Sequence, residues 1–299
     1  MLFVAALALC GAGLVESCDS GEARNYMSKR SQYITVSTGI GEFTRVHSLA
    51  DGSQVFSQGD QISVYAWTGD STHAPAGSQR VVNNSVNTLV GDAWKAAPQM
   101  LWKNYTARHY FVGIYPHSDT PVADLAAMPY TLDPANQEKS DLLVATNLAG
   151  VKNTIAPVAL LFDHVMARLV VSLSFRNQFE GTPAVESVTL KNVATRATVD
   201  CLGKSVAADA DGAADILVPR NGGNAGEYAS VVIPGCGART IVVSIGGKEY
   251  TYTHPEDIAT ESGKYTTVSL IVGRDSVSLG SVSINPWLPG THISGDAEL

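Results

Sequence analysis

The chain has 299 residues, with 28 Asp and Glu against 20 Lys and Arg and a formal net charge of −8. That balance excludes a nucleic-acid binder, which needs a Lys/Arg-rich face to meet phosphates. The length suits one large domain or two ordinary ones, and two is the better fit for a β-rich chain.

At the N-terminus, Leu2 to Leu14 is an apolar run that stops at Val15-Glu16-Ser17-Cys18. A spanning helix needs about 20 residues, so this shorter run reads as a secretory signal over residues 1–17. A small residue followed by Cys is the pattern of a bacterial lipoprotein signal, with Cys18 the lipidated first residue of the mature chain. Glu16 is an unusual member of such a box, and Cys10 is a poorer acceptor. The plainer alternative is an ordinary secretory signal that contains two cysteines. Met1 enters the run with no Lys or Arg before it, which points to a start further upstream. No later segment is long and apolar enough to span a membrane.

The rest of the chain alternates with the period of strands. Tyr33, Thr35 and Ser37 alternate with Ile34 and Val36. Ile62, Val64 and Ala66 share a face after the turn Gly59-Asp60, and Tyr110, Val112 and Ile114 share another before Pro116. Val122 to Met128 is the one short stretch with a helical look. From Pro116 to Pro157 the sequence is rich in loop signals, and strands resume at Val158, which sets a domain boundary near 156. Leu169, Val171, Leu173 and Phe175 line one face, and Val231 to Ile233 ends at Pro234-Gly235. Val206 to Asp215 reads as a loop. Ile241, Val243 and Ile245 lead into Gly246-Gly247, with Tyr250 and Tyr252 beyond, a strong hairpin signal because both glycines can take positive φ. Val268, Leu270 and Val272, then Val282 and Ile284, close the series. Many short strands with closely spaced turns give an all-β chain of sandwich or barrel type.

Enzyme motifs fail in turn. Gly203-Lys204-Ser205 ends like a phosphate-binding loop but lacks the Gly five residues earlier. Asp209, Asp211, Gly212 and Asp215 hint at calcium, yet the Gly falls too early and no bidentate Glu follows, so a solvated acidic turn is the better reading. No His pair has metal-ligand spacing and no nucleophile elbow occurs. Neither a catalytic residue, a metal site nor a cofactor is expected. His164, in Phe162-Asp163-His164, reads as a hydrogen-bonded interior histidine. Trp67, Trp94, Trp102 and Trp287 are core rings, with a sugar-stacking surface as the alternative. Cys201 and Cys236 are the cysteines left beyond Cys18; export permits a disulfide between them, and two unpaired, partly buried thiols fit as well.

Taken in order, several segments resemble the fimbrillin-like family, the type V pilins and related surface lipoproteins of Gram-negative anaerobes. They are Thr44-Arg45, Phe56 to Val64 (FSQGDQISV), Tyr110 to Pro116 (YFVGIYP), Asp141 to Ala145 (DLLVA), Leu161 to His164 before Leu169-Val170-Val171, Val232-Ile233-Pro234, and Gly263-Lys264-Tyr265 through Ile284-Asn285-Pro286-Trp287. The resemblance implies two transthyretin-like β-sandwich domains in tandem after the lipoprotein signal. The expected division is a pro-segment over 18–45, an N-terminal domain over 46–156 and a C-terminal domain over 157–299. It also implies a lipid anchor in the outer membrane, trimming by an arginine-specific protease and assembly into a surface fimbrium by β-strand addition from another pilin subunit. On this reading cleavage follows Arg45, because cutting at Arg24 or Arg30 leaves Tyr33 to Ser37 in place. That strand is the one displaced. Its loss exposes unpaired backbone groups, a template for an incoming strand.

The tail from Leu288 to Leu299 carries Pro289, Gly290 and Gly295 and is poor material for a donated strand. Val277 to Ile284 is a second source, although it is needed at home. Two functions follow from the resemblance. One is a structural pilus subunit, or an accessory or tip subunit, serving cell adhesion. The other is a non-polymerising, lipid-anchored adhesin that binds a host glycan or protein.

Overall fold

The computed structural model describes residues 30–40, 47–48, 54–137, 139–179, 181–222 and 226–286. Eighteen strands and one short 3-10 helix form there, and no α-helix does. In chain order the strands are β1 (Val36–Ile40), β2 (His47–Ser48), β3 (Gln54–Val55), β4 (Gln61–Thr68), β5 (Val82–Val90), β6 (Ala93–Ala97), β7 (His109–Tyr115), β8 (Met128–Thr131), β9 (Leu143–Val151), β10 (Val158–His164), β11 (Ala167–Phe175), β12 (Val185–Asp200), β13 (Ser205–Leu217), β14 (Glu227–Val232), β15 (Thr240–Ile245), β16 (Lys248–Thr253), β17 (Lys264–Val272) and β18 (Val277–Pro286).

Seven strands form one sheet in the order β1-β10-β9-β7-β4-β5-β6. Its inner face builds a core from Ile62, Val64, Ala66, Phe111, Leu160 and Phe162, among others. The remaining strands form a four-stranded sheet, β14-β11-β17-β18, and a second sheet, β13-β12-β15-β16, to which β8 is added beside β12. Leu169, Val171, Val268 and Leu270 from the first of these, and Val188, Leu190, Ile241 and Val243 from the second, supply one shared core, the layered arrangement of a sandwich.

The seven-stranded sheet is also covered on its outer face. Tyr65, Trp67, Val112, Ile114 and Val144 point away from its own core and join the core of the other two sheets. Strands covered on both sides lose the polar alternation of a half-exposed strand. This explains why β4 reads Ile-Ser-Val-Tyr-Ala-Trp, with all six of those residues buried.

Sheet membership changes over between His164 and Ala167. The sequence boundary near 156 precedes β10, which lies between β1 and β9. β8, from the N-terminal side of that boundary, pairs with β12 from Val199↔Met128 to Arg196↔Thr131.

Two sequence expectations are corrected. Val122 to Met128 is not helical: Asp124 accepts the Ala126 amide at 2.9 Å in an Asx turn, and the chain then enters β8 at Met128. Pro121 and Pro129 bracket the stretch and break any helix. Val206 to Asp215 is not a loop but most of β13, which pairs with β12 from Thr189↔Leu217 to Asp200↔Ser205. Its small and acidic residues have low strand propensity, and the long partner overrides that.

Candidate functional site at the first strand

The strand singled out in the sequence lies at the N-terminal end of the described residues. Residues 32–40 bridge the two edges of the seven-stranded sheet. The first part pairs with the chain that follows β6. Ile34 N–H donates to Met100 O at 2.9 Å, Trp102 N–H donates to Gln32 O at 3.3 Å, and Tyr33 forms an antiparallel bridge with Leu101. The second part crosses to the opposite edge. Val158 N–H donates to Thr35 O at 2.8 Å, and β1 then runs parallel to β10 from Val36↔Val158 to Ile40↔Phe162.

Two indoles hold the segment from the β6 side. Trp102 Nε1 donates to Tyr33 O at 3.1 Å, and Trp94 Nε1 donates to Thr38 Oγ1 at 2.9 Å. Ser31 is held at both backbone groups by the Asn153 side chain, at 3.2 and 2.6 Å. The alternation read from the sequence survives in burial. Ile34 is 0% and Val36 5% exposed, whereas Tyr33 is 48% exposed. The regular ladder starts three residues later than the expected Tyr33 to Ser37 and continues to Ile40, because the earlier residues pair with a different edge.

Beside β1 lies a groove of about 630 Å³, lined by Val36, Thr38, Phe56, Leu89, Trp94 and Pro157 among others. Its floor is aromatic. The Phe56 ring meets Trp94, Tyr115 and Phe162 edge-on at 5.2, 5.4 and 5.4 Å. Without residues 32–40, the β10 edge and this floor would be exposed together, since Ile34 and Val36 belong to the same core.

The other singled-out residues fall elsewhere. Cys18 and Arg45 lie outside the described residues, as do Arg24, Trp287 and the tail from Leu288. Arg30 stacks its guanidinium on the Tyr105 ring at 5.1 Å. Trp67, Trp94 and Trp102 are core rings. For the cysteine pair the sequence leaves both a disulfide and two unpaired thiols open. Cys201 and Cys236 are both free and buried. Their contacts differ: Met128 Sδ lies 4.0 Å from Cys201 Sγ and Thr260 Oγ1 lies 3.8 Å from Cys236 Sγ. Burial pushes the Cys201 thiol up to about 12 and raises that of Cys236 too, so neither favours the thiolate.

His164 is interior, with Nδ1 2.5 Å from Asp141 Oδ1. Of the acidic cluster, Asp215 pairs with Lys191 and Asp209 with Arg196. One serine–histidine contact was not foreseen. Ser63 Oγ lies 2.8 Å from His117 Nδ1. Ser63 is 2% exposed, and the carboxylate near His117 Nε2, Asp119 at 3.4 Å, stands in open solvent. That trio lacks the buried acid that orients the base of a serine nucleophile.

The edge partners Met100 to Trp102 were missed because pairing across some 70 residues leaves no local signal; their only cue was the tryptophan itself. A fimbrillin-like family model matches residues 44–287. Among solved structures, the chain is similar to a candidate cell adhesion protein of Bacteroides ovatus, with a TM-score of 0.66 at 16% identity over 86% of this chain and 98% of that one. A candidate cell adhesion protein of Bacteroides uniformis gives 0.62 at 17% identity over 85% and 98%. A fimbrial protein of Bacteroides vulgatus gives 0.56 at 13% identity over 86% and 100%. At these identities the likenesses concern the fold alone. A search of curated proteins finds no significant match.

Proposed function

The chain belongs to the fimbrillin-like family, and on that premise we propose that it is a pilus-related adhesion subunit of the cell surface, assembled by strand replacement at β1. Export as a lipoprotein attaches it to the outer membrane through Cys18. An arginine-specific protease cuts after Arg45, which lies beyond β1 in the chain, and so separates residues 32–40 from the body. A strand from a neighbouring subunit then takes their place, and the two domains are of the transthyretin-like sandwich type.

The observation that carries this reading is the mode of attachment of residues 32–40. They are one short segment, joined to the rest by two edges and, among its described side chains, by the buried Ile34 and Val36. Burying a Val or Ile side chain contributes about 1.5–3 kcal/mol. A longer or better-fitting strand can therefore compete for the same edge, with main-chain hydrogen bonds setting its register. Mass spectrometry of surface-extracted protein tests the first step. A mature N-terminus at Val46 supports it, and one still at Cys18 overturns it. Adding a peptide of residues 31–40 to the chain cut after Arg45 tests the second, with displacement of the resident segment as the expected result.

One observation favours an accessory or tip role, or the non-polymerising adhesin. β18 is paired with β17 from Val272↔Val277 to Lys264↔Pro286, so donating it would break that ladder. An SDS-resistant ladder distinguishes a polymer from a membrane-bound monomer.

A further inference from the structure

Strand β5 carries an irregularity with a consequence for what can occupy the β1 position. Against β4 its register runs Ile62↔Asn87 and Val64↔Ser85, then jumps to Ala66↔Val82, so β5 holds one extra residue. Asn84 absorbs it with a left-handed backbone, φ 59°. A one-residue bulge exchanges the two faces of a strand. Without it Val86 and Val90 would share the inner face with Val82. With it Ser85 and Asn87 turn inward, opposite the core residues Val64 and Ile62, and Val90 is left 53% exposed.

Asn87 is thereby placed opposite the core residue Ile62, 1% exposed. Its Nδ2 donates to Ser85 O at 3.1 Å and lies 3.8 Å from Met100 Sδ. Its Oδ1 has no hydrogen-bond partner among the described residues. Exchanging the amide atoms would set Oδ1 against the Ser85 carbonyl and orphan the Nδ2 instead. Met100 links this site to the resident segment, because its carbonyl takes the Ile34 N–H at 2.9 Å. Ile34, opposite Met100 next to the Tyr33–Leu101 bridge, brings to the same core a side chain that has no donor.

A buried acceptor left unmade costs its full desolvation, whereas an apolar residue at the same place would cost nothing of the kind. We infer that Asn87 is a specificity determinant for the incoming strand, and that its partner is a β-strand carrying a hydroxyl or amide donor (Ser, Thr, Asn or Gln) at the position Ile34 now holds. The resident segment leaves Oδ1 unsatisfied and is the poorer occupant; a strand with the donor completes the bond. This inference rests on the strand-replacement reading above.

The experiment uses the full chain, cut after Arg45 in solution, and two labelled peptides. One is SQYITVSTGI, residues 31–40, and the other is the same peptide with Ile34→Thr. Each is titrated by fluorescence anisotropy into the cut wild type and the cut Asn87→Leu chain. The expected result is that the Thr peptide gains about five- to tenfold on the Ile peptide when Asn87 is present, compared with Asn87→Leu. An unchanged ratio in the two backgrounds overturns the inference and leaves strand replacement standing. Failure of either peptide to bind overturns strand replacement itself. Asn87→Ala serves if Asn87→Leu does not fold. The uncut chain gives the same comparison in cis: Ile34→Thr should lower Tm less with Asn87 present than without it.

Discussion

Trp94 and Thr38 join the two edges of one sheet. The indole Nε1 on β6 donates to Thr38 Oγ1 on β1 at 2.9 Å, although the sheet order sets those strands at opposite ends. Thr38→Val keeps the side-chain shape and removes the acceptor. A net hydrogen bond contributes about 0.5–1.5 kcal/mol, and the orphaned indole N–H adds to the loss. The expected outcome is a drop of about 1–2 kcal/mol in stability by urea denaturation, together with faster displacement of the segment by peptide after cleavage. A variant displaced at the wild-type rate would show that the bond does not hold the strand.

Ile34 and Ser37 separate burial from mere proximity. Ile34 is fully buried in the core and Ser37 is exposed. Ile34→Ala should cost about 2–5 kcal/mol, through lost transfer energy and the cavity left behind. Ser37→Ala should stay within about 0.5 kcal/mol. Denaturant melts of both variants check this, and equal losses would contradict the alternation on which the strand's attachment depends.

What the sequence reveals of this molecule depends on how local each cause is. The hairpin from Ile241 to Tyr252 is legible because alternation and the Gly246-Gly247 turn are contiguous, and the turn forms with φ of 59° and 73°. Ile34 and Val36 are legible as inward residues for the same reason. Tyr65 and Trp67 are buried only because a second core closes over the outer face of their sheet. β13 is a strand only because β12 is long enough to pair with it. Asn87 is the extreme case, since a polar residue between Val86 and Thr88 reads as solvent-facing until the bulge at Asn84 is known.

His109 gives the segment a dependence on pH. The ring is fully buried; Nε2 accepts the Lys103 N–H at 3.0 Å, and Nδ1 faces Ala107 O at 3.1 Å. The proton therefore sits on Nδ1. The ring also meets Trp102 edge-on at 4.9 Å, and Trp102 holds Tyr33. Burial lowers the His109 pKa below its ordinary value of 6.5. The folded state thus binds fewer protons than the unfolded state, and stability rises with pH across the window between the two values. It is complete above 6.5 and is lost as pH falls below it. Thermal melts from pH 8 to pH 5 should show a decline that His109→Gln reduces, since Gln can accept the Lys103 N–H without titrating. A variant with the wild-type slope would assign the decline to other groups.

Hydrogen exchange reads the β10 edge directly. Val158 N–H is capped by Thr35 O at 2.8 Å, and the ladder beyond it runs along β1. An edge amide that loses its only acceptor meets water and exchanges at the rate of local opening rather than global unfolding. After cleavage at Arg45 and removal of the freed segment, the β10 amides that face β1 should lose protection. Those of β15 and β16, in a separate sheet, should keep theirs. Adding the peptide of residues 31–40 should restore protection at Val158, at the β10 amides that face β1 and at Trp102, and leave β15 and β16 unchanged, because a replacing strand contacts only the two edges that the resident segment holds. Protection that persists at Val158 after the segment has left would mean that another part of the chain covers the edge, and no foreign strand would then be needed to complete the sheet.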